Sequence, residues 1–117
     1  MSRIAELRKP FIGYWRIVSA DQFDREHLDL CGKARLIVPS GERGEISFGA
    51  FFAGLEFSFA PAILLFDFQG HDEMDEVTGE GRIELTDTNR TEIELEYHYG
   101  DVYVLQAERA AHGKAIA

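Results

Sequence analysis

The chain has 117 residues, 45% of them hydrophobic and 12% aromatic, and its 21 acidic and 12 basic residues give a formal net charge of −9. This length suits one domain, and the apolar fraction is large enough for a packed core, which excludes an intrinsically disordered chain. The negative charge repels nucleic-acid phosphates and anionic lipid headgroups, so we expect neither nucleic acid nor a membrane as a partner.

Three features of the sequence favour the cytoplasm. Cys31 is the one cysteine and has no partner for an internal disulfide, as is typical of reducing compartments. The N-terminal residues contain no apolar signal-peptide core. The longest apolar run, at residues 60–66, contains a proline and is too short to cross a bilayer. We expect a single domain over residues 1–117, with loose ends at 1–9 and 110–117.

The first predicted elements are a strand and a short helix. Residues 11–18 alternate along a strand that places Trp15 on one face with other apolar residues. Ser19 and Gln22 have the spacing of a helix capping box, so we predict a helix over residues 20–31. Its expected apolar stripe consists of Phe23, His27, Leu30 and Cys31.

From residue 35 onward, short apolar segments separated by turn residues predict a series of strands. A polar loop at residues 69–79 is expected to interrupt the series. The predicted strands are 35–38, 45–51, 55–59, 63–68, 82–85, 92–97 and 102–107. Short connections require antiparallel neighbours, and a long antiparallel meander removes its exposed edges by closing. The expected fold class is therefore mainly β, with about eight antiparallel strands in a small barrel or half-barrel and one short helix between strands 1 and 2.

The segment Phe11-Ile12-Gly13-Tyr14-Trp15 resembles the first-strand signature of the calycins, the lipocalin and fatty-acid-binding group. Those proteins carry Gly-x-Trp on the first strand, with the indole at one barrel end. The fatty-acid-binding proteins also insert helix between their first two strands. The resemblance implies a calycin-like barrel. The chain departs from that group because it has no arginine–tyrosine set for binding a carboxylate.

The sequence is also similar to a group of small bacterial proteins that have no assigned function. The shared parts are the start Gly13-Tyr14-Trp15-Arg16-Ile17, the segment His27-Leu28-Asp29-Leu30 and a glycine-flanked acidic loop at residues 70–81. This similarity implies a bacterial protein with a shared fold, and it implies no activity. Cys31 stands where the pattern of the group has a small aliphatic residue.

The densest polar cluster is the loop at residues 71–76, His71-Asp72-Glu73-Met74-Asp75-Glu76. One interpretation is a cation site, because oxygen ligands suit calcium, magnesium or manganese. The ligands would then be Asp72, Glu73 and Asp75. The other interpretation is a solvated turn whose carboxylates cap backbone amides, which we favour because the spacing fits no known metal motif. The flanking glycines, which fit bulges or a close approach of neighbouring backbone, are Gly70, Gly79 and Gly81.

The interior of the predicted barrel offers a second candidate site. Eight strands enclose space for side chains or for one small ligand. The residues expected to contact a small apolar ligand there are Trp15, Phe57, Phe66 and Tyr97. Further inward aromatic residues, Phe48, Phe59 and Phe68, could fill so short a barrel without a ligand.

Three functions remain open. The first is binding of a small apolar ligand in the barrel. The second is a structural or protein-interaction module that acts as a homodimer through an outer patch around Tyr103 and Leu105. The third is a metal-dependent enzyme that uses the acidic residues 71–76. We expect no cofactor and no catalytic residue. Taken together, the sequence features favour a protein that is not an enzyme.

Overall fold

The fold is a closed barrel of eight antiparallel strands, seen in a computed structural model that describes residues 9–22, 24–30, 32–40, 43–60 and 62–110. Each strand pairs with the next along the chain, and the last strand pairs with the first. The strands are β1 (Gly13–Ala20), β2 (Arg35–Val38), β3 (Arg43–Phe48), β4 (Phe51–Ala60), β5 (Ile63–Asp72), β6 (Asp75–Asp87), β7 (Arg90–Tyr97) and β8 (Val102–Ala110). A 3-10 helix at Lys9–Phe11 precedes β1, and a one-turn helix α1 (Arg25–Leu28) connects β1 to β2. The expected antiparallel barrel and its short helix are confirmed.

Alternation along each strand decides which side chains enter the core. In β7, the buried residues Thr91, Ile93, Leu95 and Tyr97 alternate with glutamates that face outward. The same period-two pattern holds in β5, where Leu64, Phe66 and Phe68 are buried. Because every strand contributes such a row, the core is one apolar cluster enclosed by the barrel wall.

The prediction of a polar loop at residues 69–79 is wrong. Strand β5 continues to Asp72 and pairs without interruption with β6 from Asp75 onward, so only Glu73 and Met74 form the turn. Glu73 has a φ of 58°, which suits a two-residue hairpin turn. The polar residues of this stretch mostly face outward from the strands, and small residues occupy part of the inner face. Because few large apolar residues alternate with the polar ones, the sequence does not show the usual pattern of a strand here.

The glycines of this hairpin allow a close approach of neighbouring groups. This was one of the two explanations that the sequence offered for them, the other being bulges. A Cβ atom added to Gly79 would lie 2.1 Å from the Glu96 carbonyl oxygen and 2.4 Å from the ring of Phe68. The ring of Phe66 covers Gly81 in the same way, at 2.4 Å. Pairing of β5 with β6 is continuous here, so these glycines mark no bulge between those strands. They let large rings fold back over the inner wall of the sheet.

The predicted helix at residues 20–31 is too long. Ala20 belongs to β1, and α1 covers only Arg25–Leu28. Asp24 caps this turn, because its carboxylate accepts a hydrogen bond from the His27 backbone N–H at 2.8 Å. Ser19 instead pairs with Gln106 of β8, so closure of the barrel takes precedence over the capping pattern.

The predicted apolar stripe of the helix also needs correction. Leu28 of α1 is buried, whereas Leu30 is 64% exposed and His27 is exposed. Phe23 and Cys31 lie outside the described residues, as do residues 1–8 and 111–117 of the expected loose ends. Lys9 and Ala110, which the prediction also placed in those ends, belong to the 3-10 helix and to β8. In the described ranges, no helix is long and apolar enough to cross a bilayer.

One end of the barrel is closed by Trp15, and we call it the Trp15 end. The indole N–H donates to the carbonyl oxygen of Phe11 at 2.9 Å. The guanidinium of Arg109, from the last strand, lies 4.2 Å from the centre of the indole ring. It also donates to the carbonyl oxygens of Ile12 at 2.9 Å and Pro10 at 2.8 Å. Residues from the first and last strands thus hold the 3-10 helix across this end.

The opposite end is where β1, β3, β5 and β7 finish, and we call it the mouth. The connection that contains α1 lies against it, with Leu28 buried and its carbonyl oxygen accepting from the Gly49 N–H at 2.7 Å. Arg16 anchors this connection, because its guanidinium contacts the Asp29 carboxylate at 2.8 Å and the Ala34 carbonyl oxygen at 2.9 Å. The turns at residues 49–50, 73–74 and 98–101 complete the mouth.

The expected outer patch around Tyr103 and Leu105 is wrong. Leu105 is fully buried, and the half-buried Tyr103 packs against the core. Leu105 pairs with Ile93 of β7, which is also buried, so the closed sheet assigns this face of β8 to the interior. Val102 and Val104 lie on the outer face instead.

Candidate functional site

Of the four residues predicted to bind an apolar ligand, three belong to the core and Phe57 packs against it. Trp15, Phe66 and Tyr97 are buried, and Phe57 is half-buried. Phe57 and Phe66 are cross-strand partners. Trp15 closes one end of the barrel, whereas Tyr97 lies at the last position of β7, next to the mouth.

Aromatic rings fill the part of the core that adjoins the mouth. The ring centre of Phe51 lies 5.0 Å from that of Phe48, 5.5 Å from that of Phe68 and 5.6 Å from that of Tyr97. Phe68 and Tyr97 are 5.5 Å apart in an edge-to-face arrangement. These separations are direct ring contacts. A ligand in this region would have to displace them.

Three tyrosines meet at the mouth, and we call them the mouth tyrosines: Tyr97, Tyr99 and Tyr103. The ring of Tyr97 lies 5.0 Å from that of Tyr99 and 5.6 Å from that of Tyr103, both edge to face. The β7–β8 turn brings them together, because Tyr97 and Asp101 are joined by a backbone hydrogen bond of 2.9 Å. Gly100 has a φ of 115° in this turn, a conformation that favours glycine.

A carboxylate of the neighbouring hairpin completes this cluster. The Tyr97 hydroxyl donates to Asp72 Oδ2 at 3.0 Å, and Asp72 is the half-buried last residue of β5. Burial and then the Asp72 carboxylate raise the pKa of Tyr97 well above its ordinary value. Desolvation and then Asp101 raise the pKa values of Tyr99 and Tyr103. The raised pKa values keep all three hydroxyls protonated at neutral pH, because desolvation and then the nearby carboxylates disfavour the phenolate form.

A cleft of about 610 Å³ opens between the β5–β6 hairpin and the β7–β8 turn. Strand β6 and the β7–β8 turn are joined along its side: His98 Nδ1 and the Thr78 hydroxyl are 3.0 Å apart, and the His98 N–H donates to the Thr78 carbonyl oxygen at 2.9 Å. The residues that line the cleft are Asp72, Glu73, Asp75, Glu76, Val77, Thr78, His98 and Tyr99. It is therefore an acidic cleft with one aromatic wall.

The predicted metal ligands Asp72, Glu73 and Asp75 all lie on this cleft. Asp72 and Asp75 are cross-strand partners at the hairpin end, and Glu73 is in the turn between them. Over the described ranges, however, no group of three or more histidine, cysteine, aspartate or glutamate side chains is arranged to hold a metal ion. The metal site stays a prediction.

Within the described residues, the carboxylates of the cleft take part in no ion pair. Ion pairs of the described residues lie elsewhere on the barrel, for example Arg82 with Glu94 at 3.0 Å and Arg90 with Glu108 at 3.4 Å. None of the ion pairs found in those ranges includes a carboxylate of the cleft. In the part of the chain that the structure describes, no ion pair therefore offsets the negative charge of these carboxylates.

Sequence reasoning identified the acidic half of this cleft but missed its aromatic half. Tyr99, Thr78 and His98 were not among the predicted binding residues, although Tyr99 and His98 lie within a short tyrosine-rich turn beside Gly100. Three tyrosines within seven residues, Tyr97 to Tyr103, were a detectable signal.

The chain matches no protein-family model, and no curated protein is significantly similar to it in sequence. The resemblances to the calycins and to a bacterial group therefore stay predictions.

Proposed function

We propose that this protein binds a small organic cation, such as a substituted ammonium, in the acidic cleft at the mouth of the barrel. The observation that carries the proposal is the meeting, in one concave space, of an exposed tyrosine ring and carboxylates that form no ion pair with described residues. The sequence predicted a small apolar ligand inside the barrel, and the present proposal keeps the binding of a small ligand but changes its class to a cation. The proposed position is the mouth, because contacting aromatic rings occupy the adjoining core.

The chemistry of the cleft favours a cation with an apolar body over a metal ion. A cation within about 6 Å of an aromatic ring is attracted by the negative face of the ring, and the interaction is worth about 0.5–2 kcal/mol. Tyr99 offers such a face, since it is 67% exposed and lines the cleft. Carboxylates that surround a concave site also concentrate cations there.

Calorimetric titration with a trimethylammonium alcohol tests the proposal, with the neutral carbon isostere of the same shape as the matched ligand. We expect the cation to bind at least about tenfold more tightly than the isostere, because only the cation interacts with the ring and the carboxylates. Calcium, magnesium and manganese, titrated in parallel, test the metal-dependent alternative.

Two variants assign the binding to the cleft. Tyr99→Leu keeps an apolar side chain but removes the ring, and we expect about a three- to thirtyfold loss of affinity for the cation. Tyr14→Leu is the matched control, because Tyr14 is an exposed tyrosine near the Trp15 end. Equal binding of the cation and its isostere, or equal effects of the two variants, would refute the proposal.

A further inference from the structure

Five of the seven exposed large apolar side chains of the described residues lie at the mouth end of the barrel. Met74 is 94% exposed at the tip of the β5–β6 hairpin, and Tyr99 is 67% exposed in the β7–β8 turn. Leu30, which follows α1, is 64% exposed. Phe52 and Val102 add two more, because β4 and β8 begin at this end. We call these five residues the apolar rim.

The acidic cleft continues outward below this rim. A second depression of about 510 Å³ lies on the outer side of the hairpin, and Phe52 and His71 form part of its wall. It shares Glu76, Val77 and Thr78 with the cleft, so the two concave spaces adjoin across β6. Together they form a surface much longer than one ammonium group.

We propose that the occupant of this surface is a basic amphipathic segment of a partner protein. The inference rests on the proposed function, since a lysine or arginine of the segment would enter the acidic cleft as the organic cation. The apolar side chains of the segment would contact the rim. Such a segment covers both features at once, whereas a free small cation leaves the rim exposed to water.

Charge supports a basic occupant. The chain has a net charge of −9, and acidic residues of the cleft form no ion pair within the described ranges. Two copies that met mouth to mouth would bring these carboxylates together, which like-charge repulsion opposes. Exposed apolar side chains beside charged groups, as Met74, Tyr99 and Phe52 are around the acidic β5–β6 hairpin, are typical of protein-binding surfaces.

Fluorescence anisotropy with a labelled synthetic helical peptide, built from leucine and lysine in amphipathic order, tests this inference. We expect it to bind at least tenfold more tightly than the trimethylammonium probe and to weaken as salt rises. A second peptide, with glutamate in place of every lysine, should not bind. Equal binding of the two peptides would overturn the inference.

Variants of the apolar rim distinguish binding of the peptide from binding of the small cation. Met74→Ser and Phe52→Ser should each weaken the peptide about threefold or more and leave the affinity for the trimethylammonium probe unchanged, because neither side chain lines the cleft. Leu65→Ser is the matched control, since Leu65 is 40% exposed on the outer wall of β5 away from the rim.

The outcomes separate the two proposals. If the small cation binds in the cleft but the basic peptide binds no more tightly, the partner segment is refuted and the proposed function stands. If neither ligand binds, both fall. If the rim variants and Leu65→Ser weaken the peptide equally, the rim has no role and the inference fails. A dimer that Met74→Ser dissociates would make a second copy the occupant and would also overturn it.

Discussion

Thr91 is the one polar residue among the fully buried side chains of the described chain. It lies on the inner face of β7, between Leu85 and Ala107 on the adjoining strands. In the described part of the protein, its hydroxyl has no hydrogen-bond partner. A buried hydroxyl without a partner destabilises the folded state, because it loses its hydrogen bonds to water and gains none.

Thr91→Val should therefore stabilise the protein by about 1 kcal/mol, since valine has the same shape and no hydroxyl. The free energy of unfolding, measured by urea denaturation, checks this. Thr78→Val is the control: that hydroxyl is exposed and lies 3.0 Å from His98 Nδ1, so its loss brings no gain. A loss of stability in Thr91→Val would mean that the buried hydroxyl is hydrogen-bonded in solution.

The Tyr97–Asp72 hydrogen bond predicts a dependence of stability on alkaline pH. Burial and Asp72 raise the pKa of Tyr97 in the folded chain above the ordinary 10.0 of the unfolded chain. The folded state therefore retains a proton that the unfolded state loses, so this contribution is complete below about pH 10 and declines as the pH rises above it. The urea midpoint of the wild type should therefore fall between pH 9 and pH 11. The expected size of the fall is that of one tyrosine that loses its proton in the unfolded chain but keeps it in the folded chain.

Tyr97→Phe removes the group that titrates. We expect a shallower decline of the urea midpoint above about pH 10, and a loss of about 1 kcal/mol at neutral pH from the missing hydrogen bond to Asp72. An unchanged alkaline slope would show that Tyr97 does not carry the effect. Each variant is compared with the wild type in the same buffers.

At the scale of elements, the β5–β6 hairpin owes its length to glycine. Strand β6 has 13 residues, the longest of the eight, and its inner face carries Gly79 and Gly81 beneath the rings of Phe68 and Phe66. Without these glycines the rings would have no room, since the carbonyl oxygens of β7 pass close by. The hairpin in turn positions Asp72 beside Tyr97.

Gly79→Ala should therefore destabilise the protein by about 1–3 kcal/mol, because the new methyl group meets both backbone and ring at less than 3 Å. Gly54→Ala is the matched control. It also lies within a strand, but its nearest neighbour to an added Cβ is the Gln69 carbonyl oxygen at 4.0 Å, so the change should be neutral or slightly stabilising. Thermal unfolding of the two variants distinguishes them, and equal effects would contradict the steric explanation.

Helix α1 illustrates how closure of the barrel limits a local pattern. The residues that resembled a capping box, Ser19 and Gln22, take part in contacts with β8: Ser19 pairs with Gln106, and the Gln22 amide donates to the Val102 carbonyl oxygen at 3.0 Å. These long-range bonds shorten the helix to one turn. Its function in the fold is to bring Leu28 over the mouth.

At the scale of the whole molecule, the net charge of −9 opposes folding through self-repulsion. The carboxylates of the cleft add to this because basic partners are absent from them in the described ranges. We expect sodium chloride between about 0.02 and 0.2 M to raise the midpoint of urea denaturation, since salt screens exposed charges. Glu73→Gln should reduce this salt dependence, and Glu92→Gln, on the outer wall of β7, should reduce it less. No salt dependence would contradict the role of charge.

A homodimer stays a prediction for the whole molecule. Its expected interface around Tyr103 and Leu105 is unavailable, because those side chains face the core. Tyr103→Glu would disturb the interior and is not a test of association. Light scattering on the wild type measures the oligomeric state directly.

The antiparallel strands could be predicted from the sequence, because alternation and turn residues are local signals and short connections permit no other pairing. The sequence also located the acidic residues Asp72, Glu73 and Asp75. The assignment of residues 69–72 and 75–79 to strands came from the folded structure alone, since small and polar residues on the inner face conceal the pattern. The folded structure likewise placed Tyr99 against the acidic hairpin, and Tyr103 inside the barrel. Those positions depend on contacts between residues far apart in the chain, which closure of the barrel creates and no local pattern encodes.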